Sequence, residues 1–184
     1  MNALYLVWSF NCERYKFVSI SIRYIISRLT DQSGPSTMNP FTFNTTASIR
    51  FKEGAAANLG TECQDTLGER ILFVTDQGLI KIGLVQGPLD SLQQTGSDVT
   101  LFDQVEADPS LDTLMAAVDK ARQIDATGIV GFGGGSSMDV AKLTALLVGS
   151  NENLDDAWGV ENAKGPRLPL VLIPTTAGTG SEVT

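Results

Sequence analysis

Three consecutive glycines, Gly133 to Gly135, stand where an apolar segment gives way to a helical pattern, in "GIVGFGGGSSMDVAK". Because glycine has no Cβ, such a loop lets a ligand approach the main chain and exposes several N–H groups to it. A helix that begins near Ser136 adds the positive end of its dipole. The stretch therefore predicts a cradle for an anion such as a pyrophosphate, one that needs no lysine. Ser136 and Asp139 also form the S-x-x-D pattern of a helix cap, which is the structural alternative for these two side chains.

A carboxylate ends another apolar segment, since Asp76 directly follows "ILFVT". At the carboxyl end of a parallel strand, an aspartate can accept hydrogen bonds from the 2′-hydroxyl of an adenosine ribose, and it repels a 2′-phosphate. This interpretation predicts a preference for NAD over NADP. The alternative is an aspartate that caps the next helix.

Hydroxyl side chains are concentrated in "IPTTAGTGSEVT", where five of them fall within ten residues: Thr175, Thr176, Thr179, Ser181 and Thr184. Neutral hydroxyls can donate hydrogen bonds to phosphate and ribose oxygens. Segments rich in glycine, serine and threonine also form plain turns. Both interpretations are open from the residues alone.

The elements that must position these segments alternate regularly. Strands are predicted in "TASIRFKEG", where the pattern is that of a half-buried strand, and in "RILFVTD", "DVTLFD", "GIVGFGGG" and "LPLVLIPTT". Helices are predicted in "EGAAANLGTECQDTLG", in "GLIKIGLVQGPLDSLQQTG" with a break or kink near Pro88, in "SSMDVAKLTALLVG", and in "SLDTLMAAVDKARQID" with an apolar face of Leu111, Leu114, Met115 and Val118. This alternation predicts an α/β fold with a parallel sheet flanked by helices. Such sheets bind ligands at the carboxyl ends of their strands.

Composition excludes several classes of function. The 184 residues carry 13 Lys and Arg against 21 Asp and Glu, a formal charge of -8, which argues against binding to nucleic acid or an anionic membrane. Cys12 and Cys63 have no zinc-site spacing, and such sparse cysteine usage indicates a reducing compartment, so we expect a cytoplasmic protein. The sequence contains no histidine, the commonest metal ligand and general base.

The first 37 residues differ from the rest of the chain. Glu13, Arg14, Lys16 and Arg23 interrupt their apolar residues, so neither a membrane span nor a signal peptide is predicted. We expect residues 1–37 to be a mis-assigned extension or a poorly ordered tail, with Met38 as the true start; an organellar transit peptide is the alternative. Residues 38–184 would then form one nucleotide-binding domain.

Three stretches in this order and spacing, "FVTD", "GFGGGSSMDVAK" and "IPTTAGTGSEVT", resemble the iron-containing (group III) alcohol dehydrogenases from about Phe41 to Thr184. The resemblance implies a Rossmann-like domain in which Asp76 contacts the adenosine ribose. It implies that the pyrophosphate binds to Gly134, Gly135 and Ser136, and that the pyrophosphate and nicotinamide ribose are lined by Thr175, Thr176, Thr179 and Thr184. Family members commonly carry Asn where this chain has Asp108, so a negative charge is added near phosphate.

The family's second domain, which is helical and supplies a metal site of usually one Asp and three His, would follow the threonines, so any metal ligands are expected beyond Thr184. We interpret the sequence as the cofactor-binding half of an NAD(P)-dependent alcohol dehydrogenase, inactive alone and without a catalytic residue of its own. The full-length protein would use NAD and Fe²⁺ or another divalent metal, act on a small alcohol or aldehyde, and form a homo-oligomer. The alternatives are a metal-free relative similar to maleylacetate reductase and a stand-alone nucleotide-binding module.

Overall fold

The computed structural model describes residues 46–150, 152–157 and 162–183, and the main chain of residues 4–8. The described residues all belong to one compact unit, Met1–Phe10 with Thr45–Thr184. Most of the predicted extension lies outside the described residues, as do Phe41 and Thr184. The domain boundary at residue 38 stays a prediction.

Six parallel strands form one sheet in the order β2-β1-β6-β5-β3-β4. They are β1 (Leu4–Trp8), β2 (Ser48–Phe51), β3 (Arg70–Val74), β4 (Asp98–Phe102), β5 (Gly128–Gly133) and β6 (Leu170–Pro174). Because all six run in the same direction, their carboxyl ends share one edge of the sheet. The predicted α/β fold with a parallel sheet is confirmed.

Five helices connect the strands over the described residues: α1 (Leu59–Leu67), α2 (Gln77–Lys81), α3 (Gln86–Gln94), α4 (Leu111–Gln123) and α5 (Gly135–Ser150), with a 3-10 turn at Leu154–Asp156. As predicted, α1 ends at a glycine, Gly68, which has φ +71°. Within the part of the chain that is described, no helix is long and apolar enough to cross a membrane.

Two apolar cores lie on opposite faces of the sheet. On one face α4 and α5 pack against Leu72 and Val74 of β3, and on the other α1 and α3 pack against Ile71 and Phe73. Alternate residues of a strand therefore enter different cores. This arrangement explains why the central strands read as unbroken apolar runs.

The predicted helix over residues 78–96 is broken, as expected, and the break lies just before Pro88. The chain leaves the helical path between α2 and α3, where Gly83 has φ +75°. Pro88 lies in the first turn of α3 and is buried there. A proline is tolerated in a first turn because its missing N–H would have no partner inside the helix.

The apolar face predicted for α4 is half correct. Leu114 and Val118 are buried, but Leu111 and Met115 are 59% and 37% exposed. Two small residues, Ala117 and Ala121, complete the buried face instead. Alanine at these positions allows the helix to pack closely, and the large side chains lie outside the contact.

Strand β2 alternates as predicted, but its apolar side chains lie on the more exposed side. Ile49 and Phe51 are 54% and 66% exposed. Arg50 points the other way and forms an ion pair with Glu62 of α1, which Lys52 also contacts. The half-buried face of this edge strand is therefore the polar one.

Candidate functional site

The glycine segment joins the carboxyl end of β5 to the first turn of α5. The Met138 amide donates to the Gly134 carbonyl oxygen (3.1 Å), so the helix begins at Gly135, one residue before the predicted start. Ser136 therefore lies inside the first turn and not at the cap position. The first N–H groups of an α-helix have no partner within it, and here they lie at the carboxyl edge of the sheet.

The structural requirement for glycine differs among the three positions. Gly133 has φ +152°, and a Cβ on it would lie 2.6 Å from Ser137 Oγ. A Cβ on Gly135 would lie 3.2 Å from Ser181 Oγ. At Gly134, in contrast, the nearest atom to a Cβ would be Thr176 Oγ1 at 3.5 Å, an ordinary contact. The packing of the described residues therefore does not require glycine at position 134.

The threonine segment lies beside the glycine segment. The Thr175 amide donates to the Gly133 carbonyl oxygen (2.9 Å), which continues the pairing of β5 with β6. Thr175, Thr176 and Thr179 are exposed at this edge. The structure thus brings together the two segments that the sequence singled out, with Thr184 outside the described residues.

Two carboxylates that sequence reasoning did not assign to the site hold the threonine segment. Thr179 Oγ1 donates to Glu182 Oε2 (2.9 Å), and Ser181 Oγ donates to Asp139 Oδ2 (3.2 Å). Asp139 also pairs with Lys142 Nζ at 2.8 Å. Among the described residues, the Asp139 carboxylate contacts Ser181 and Lys142. The S-x-x-D cap between Ser136 and Asp139 does not form. The i,i+3 spacing of Asp139 and Lys142 could have indicated this pair.

Asp76 follows β3 at the same edge and caps α2. Its Oδ1 accepts a hydrogen bond from the Leu79 amide (3.1 Å). The capping alternative considered from the sequence is therefore present. The bond engages one of the two carboxylate oxygens, so capping and ribose contact are chemically compatible.

Asp108 lies in the loop after β4 and is exposed, with φ +52°. Among residues other than glycine, asparagine and aspartate adopt this left-handed conformation most readily. The position therefore has a conformational requirement that both Asp108 and the family's asparagine meet. In the sheet, β3 lies between β4 and β5, so the loop that carries Asp108 and the glycine segment follow strands that are not neighbours.

The described residues offer no set of side chains that fits a metal ion. No three carboxylate, thiol or imidazole groups come together to hold one among the residues that the structure describes. The Cys63 thiol is buried in α1, and its desolvation raises its pKa to about 11. A thiol in that state is a poor nucleophile and a poor ligand. We assign no metal to these residues.

Residues 46–184 match the family model of iron-containing alcohol dehydrogenases. The chain belongs to the iron-containing alcohol dehydrogenase family. The resemblance stated from the sequence is confirmed, and the parallel sheet corresponds to the N-terminal Rossmann-like domain of iron-containing alcohol dehydrogenase structures.

Individual relatives in this iron-containing alcohol dehydrogenase family include sulfoacetaldehyde reductase from Bilophila wadsworthia (strain 3_1_6), which is 39% identical over 132 residues, covering 71% of this chain and 34% of that protein. A solved 1,3-propanediol oxidoreductase is similar with a TM-score of 0.73 and 34% identity, over 79% of this chain and 38% of that one. Sulfoacetaldehyde reductase from Bifidobacterium kashiwanohense, solved in complex with NAD⁺, has a TM-score of 0.67 and 29% identity, over 80% and 39%. The chain spans about a third of the length of the curated relatives it matches.

Proposed function

We propose that the carboxyl edge of this sheet binds NAD, and that the complete protein is an NAD-dependent alcohol dehydrogenase acting on a small alcohol or aldehyde. The observation that carries the proposal is Gly134, a glycine that neither backbone conformation nor protein packing requires. It lies directly before a helix of 16 residues, whose N-terminus attracts anions. The NAD⁺ complex of the Bifidobacterium relative supports the same ligand.

The pyrophosphate would lie over the end of β5. There the main-chain N–H groups of Gly134, Gly135 and Ser136 would donate to its oxygens. The chain has a formal charge of -8, so a long-range field does not attract the anion. Its binding would depend on these local donors and on the helix dipole.

The two nucleoside halves would extend to either side of β5. In the sheet β5 lies between β3 and β6. The adenosine ribose would reach Asp76 after β3, and the nicotinamide ribose would reach Thr175 and Thr176 after β6. The Asp76 carboxylate would repel a 2′-phosphate, so we expect NAD to bind more tightly than NADP.

The nicotinamide ring, when bound, supplies the acceptor for a hydride from the alcohol carbon. The described residues of this chain bind and orient that cofactor. Because they form no metal cluster and the sequence has no histidine, we expect the 184-residue chain to bind NAD⁺ and NADH without catalysing hydride transfer. For the complete protein we propose a cytoplasmic location, in keeping with the sparse cysteines, and a homo-oligomeric state.

Titration of the purified chain with NADH, followed by nicotinamide fluorescence anisotropy, tests this function. Wild-type protein should bind NADH in a saturable manner and bind NADPH more weakly. Gly134→Val, which fills the space beside the cradle, should reduce the affinity at least tenfold, or by about 1.4 kcal/mol. Equal NADH binding by Gly134→Val and wild type, or no binding by wild type, would refute the proposed site.

A further inference from the structure

The direction of two hydrogen bonds limits which hydroxyl groups of the threonine segment can donate to a ligand. A hydroxyl has one proton to donate, and an ionised carboxylate only accepts. The Thr179 hydroxyl donates its hydrogen bond to Glu182 Oε2, and the Ser181 hydroxyl donates its hydrogen bond to Asp139 Oδ2. Thr179 Oγ1 also accepts from the Ser181 amide (3.3 Å). These two hydroxyls are therefore engaged by the protein itself.

The engaged hydroxyls lie against the start of α5. A Cβ on Gly135 would lie 3.2 Å from Ser181 Oγ and 3.6 Å from Thr179 Cβ. The glycine at 135 therefore makes room for the threonine segment. Ser181 and Asp139 are 42 residues apart in sequence, so their bond fixes the segment to the helix that begins at the cradle.

The acceptors are placed to hold this geometry. Glu182 has 9% of its surface exposed, and a carboxylate buried to that degree needs hydrogen-bond partners. The Thr179 hydroxyl is such a partner. Asp139 is held in turn by Lys142, whose side chain is 13% exposed. The Thr179 hydroxyl thus meets a buried acceptor, and the Ser181 hydroxyl meets a half-exposed acceptor that an ion pair anchors to α5.

We propose that Ser181 and Glu182 are positioning residues for the cofactor. Together with Asp139 they hold the threonine segment against Gly135, so that Thr175 and Thr176 contact the dinucleotide while Thr179 acts through Glu182. The assignment rests on the proposed NAD site. It differs from the expectation, carried by the family resemblance, that Thr179 itself lines the cofactor.

A double-mutant cycle on NADH affinity tests the assignment. Thr179→Val removes the hydroxyl and keeps the side-chain shape, and Glu182→Met removes the acceptor at similar volume. If Thr179 acts through Glu182, each variant weakens NADH binding about tenfold and the double variant is no weaker than either. Thr179→Ser, which keeps the hydroxyl, restores wild-type affinity within about twofold.

The matched control is Asp76→Ala, at the residue proposed to contact the adenosine ribose, which follows β3 on the other side of β5 from the threonine segment. Its loss of affinity should multiply with that of Glu182→Met, because the two residues act on different halves of the cofactor. Melting temperatures of all variants show whether they fold. If Glu182→Met does not fold, the comparison of Thr179→Val with Thr179→Ser and the expected loss in Ser181→Ala decide the matter.

The outcomes separate the two proposals. Multiplied losses for Thr179→Val and Glu182→Met, or no rescue by Thr179→Ser, would overturn the positioning role while leaving the NAD site intact. Absence of NADH binding by wild-type protein would overturn the proposed function and this assignment with it. Losses that do not multiply, with rescue by serine, support the role.

Discussion

The Thr175 amide donates a hydrogen bond of 2.9 Å to the carbonyl oxygen of Gly133. This bond lies just past the last paired residues of β5 and β6, Gly133 and Pro174. It places the end of one strand and the start of the threonine segment side by side. The relative position of the glycine and threonine segments, which we propose bind the cofactor, is therefore set by the sheet itself.

Alanine at Gly134 should affect cofactor binding, whereas alanine at Gly133 should affect stability. Gly134→Ala should weaken NADH binding about tenfold and change the free energy of unfolding by less than about 1 kcal/mol, because its Cβ meets no protein atom closer than 3.5 Å. Gly133→Ala should destabilise the fold by about 2–4 kcal/mol, because φ is positive and Ser137 is too close. Urea unfolding and NADH titration measure the two effects. Unchanged NADH affinity in Gly134→Ala would contradict the cradle.

Substitutions at Asp76 separate its capping role from ribose recognition. Asn caps helices as well as Asp does, so Asp76→Asn should keep the stability of wild type while raising NADPH affinity relative to NADH about tenfold. Asp76→Ala should lose about 1 kcal/mol of stability, because the bond to the Leu79 amide disappears. Both cofactors are titrated against each variant. An unchanged NADH to NADPH ratio in Asp76→Asn would leave Asp76 with capping alone.

The conformation of Asp108 also gives a matched pair of variants. Asp108→Asn should be as stable as wild type, whereas Asp108→Ala should cost about 1 kcal/mol, because φ is +52°. If the Asp108 charge lies near the phosphates, Asp108→Asn should also strengthen NADH binding about twofold at low salt. Thermal unfolding measures the first effect, and titration at two salt concentrations measures the second. Equal stability of the alanine and asparagine variants would refute the conformational requirement.

The link between β2 and α1 should give a pH-dependent stability. A hydrogen bond from Lys52, with a further contribution from Arg50, holds the pKa of the Glu62 carboxyl below its usual value of 4.5. A carboxyl whose pKa is lowered by folding stabilises the protein above its unfolded pKa, and this contribution is lost as pH falls through the folded pKa. Glu62→Gln should therefore reduce the free energy of unfolding by about 0.5–1 kcal/mol at pH 7. Urea unfolding should show the difference from wild type shrinking below about pH 4; a constant difference would refute the ionic contribution.

The main features of the fold were predictable because the central strands are apolar on both faces. "ILFV" could be identified as a buried strand since its alternate residues enter two cores. The exposure of Leu111 was not predictable, because periodicity gives the face of a helix and not how far its end extends past its neighbours. The break near Pro88 was predictable from the proline, but its exact position, between Lys81 and Gln86, was not, because a proline is also tolerated in the first turn of a new helix.

At the candidate site, the sequence singled out the glycine and threonine segments, and the structure places them side by side. It could not predict the partners of individual hydroxyls. Thr176 and Thr179 are alike in sequence, yet Thr179 donates to Glu182 while Thr176 lies beside Gly134. The difference depends on how the segment folds back on α5, which is a long-range property.

The most direct test of NAD binding at the glycine segment is an amide ¹H–¹⁵N spectrum of the isotopically labelled chain, recorded with and without NAD⁺. We expect saturable shifts of the Gly134, Gly135 and Ser136 amides together with those of Thr175 and Thr176, and little change at Cys63, which is buried in α1. Saturating NAD⁺ that leaves the Gly134 to Ser136 amides unchanged would contradict the proposed site.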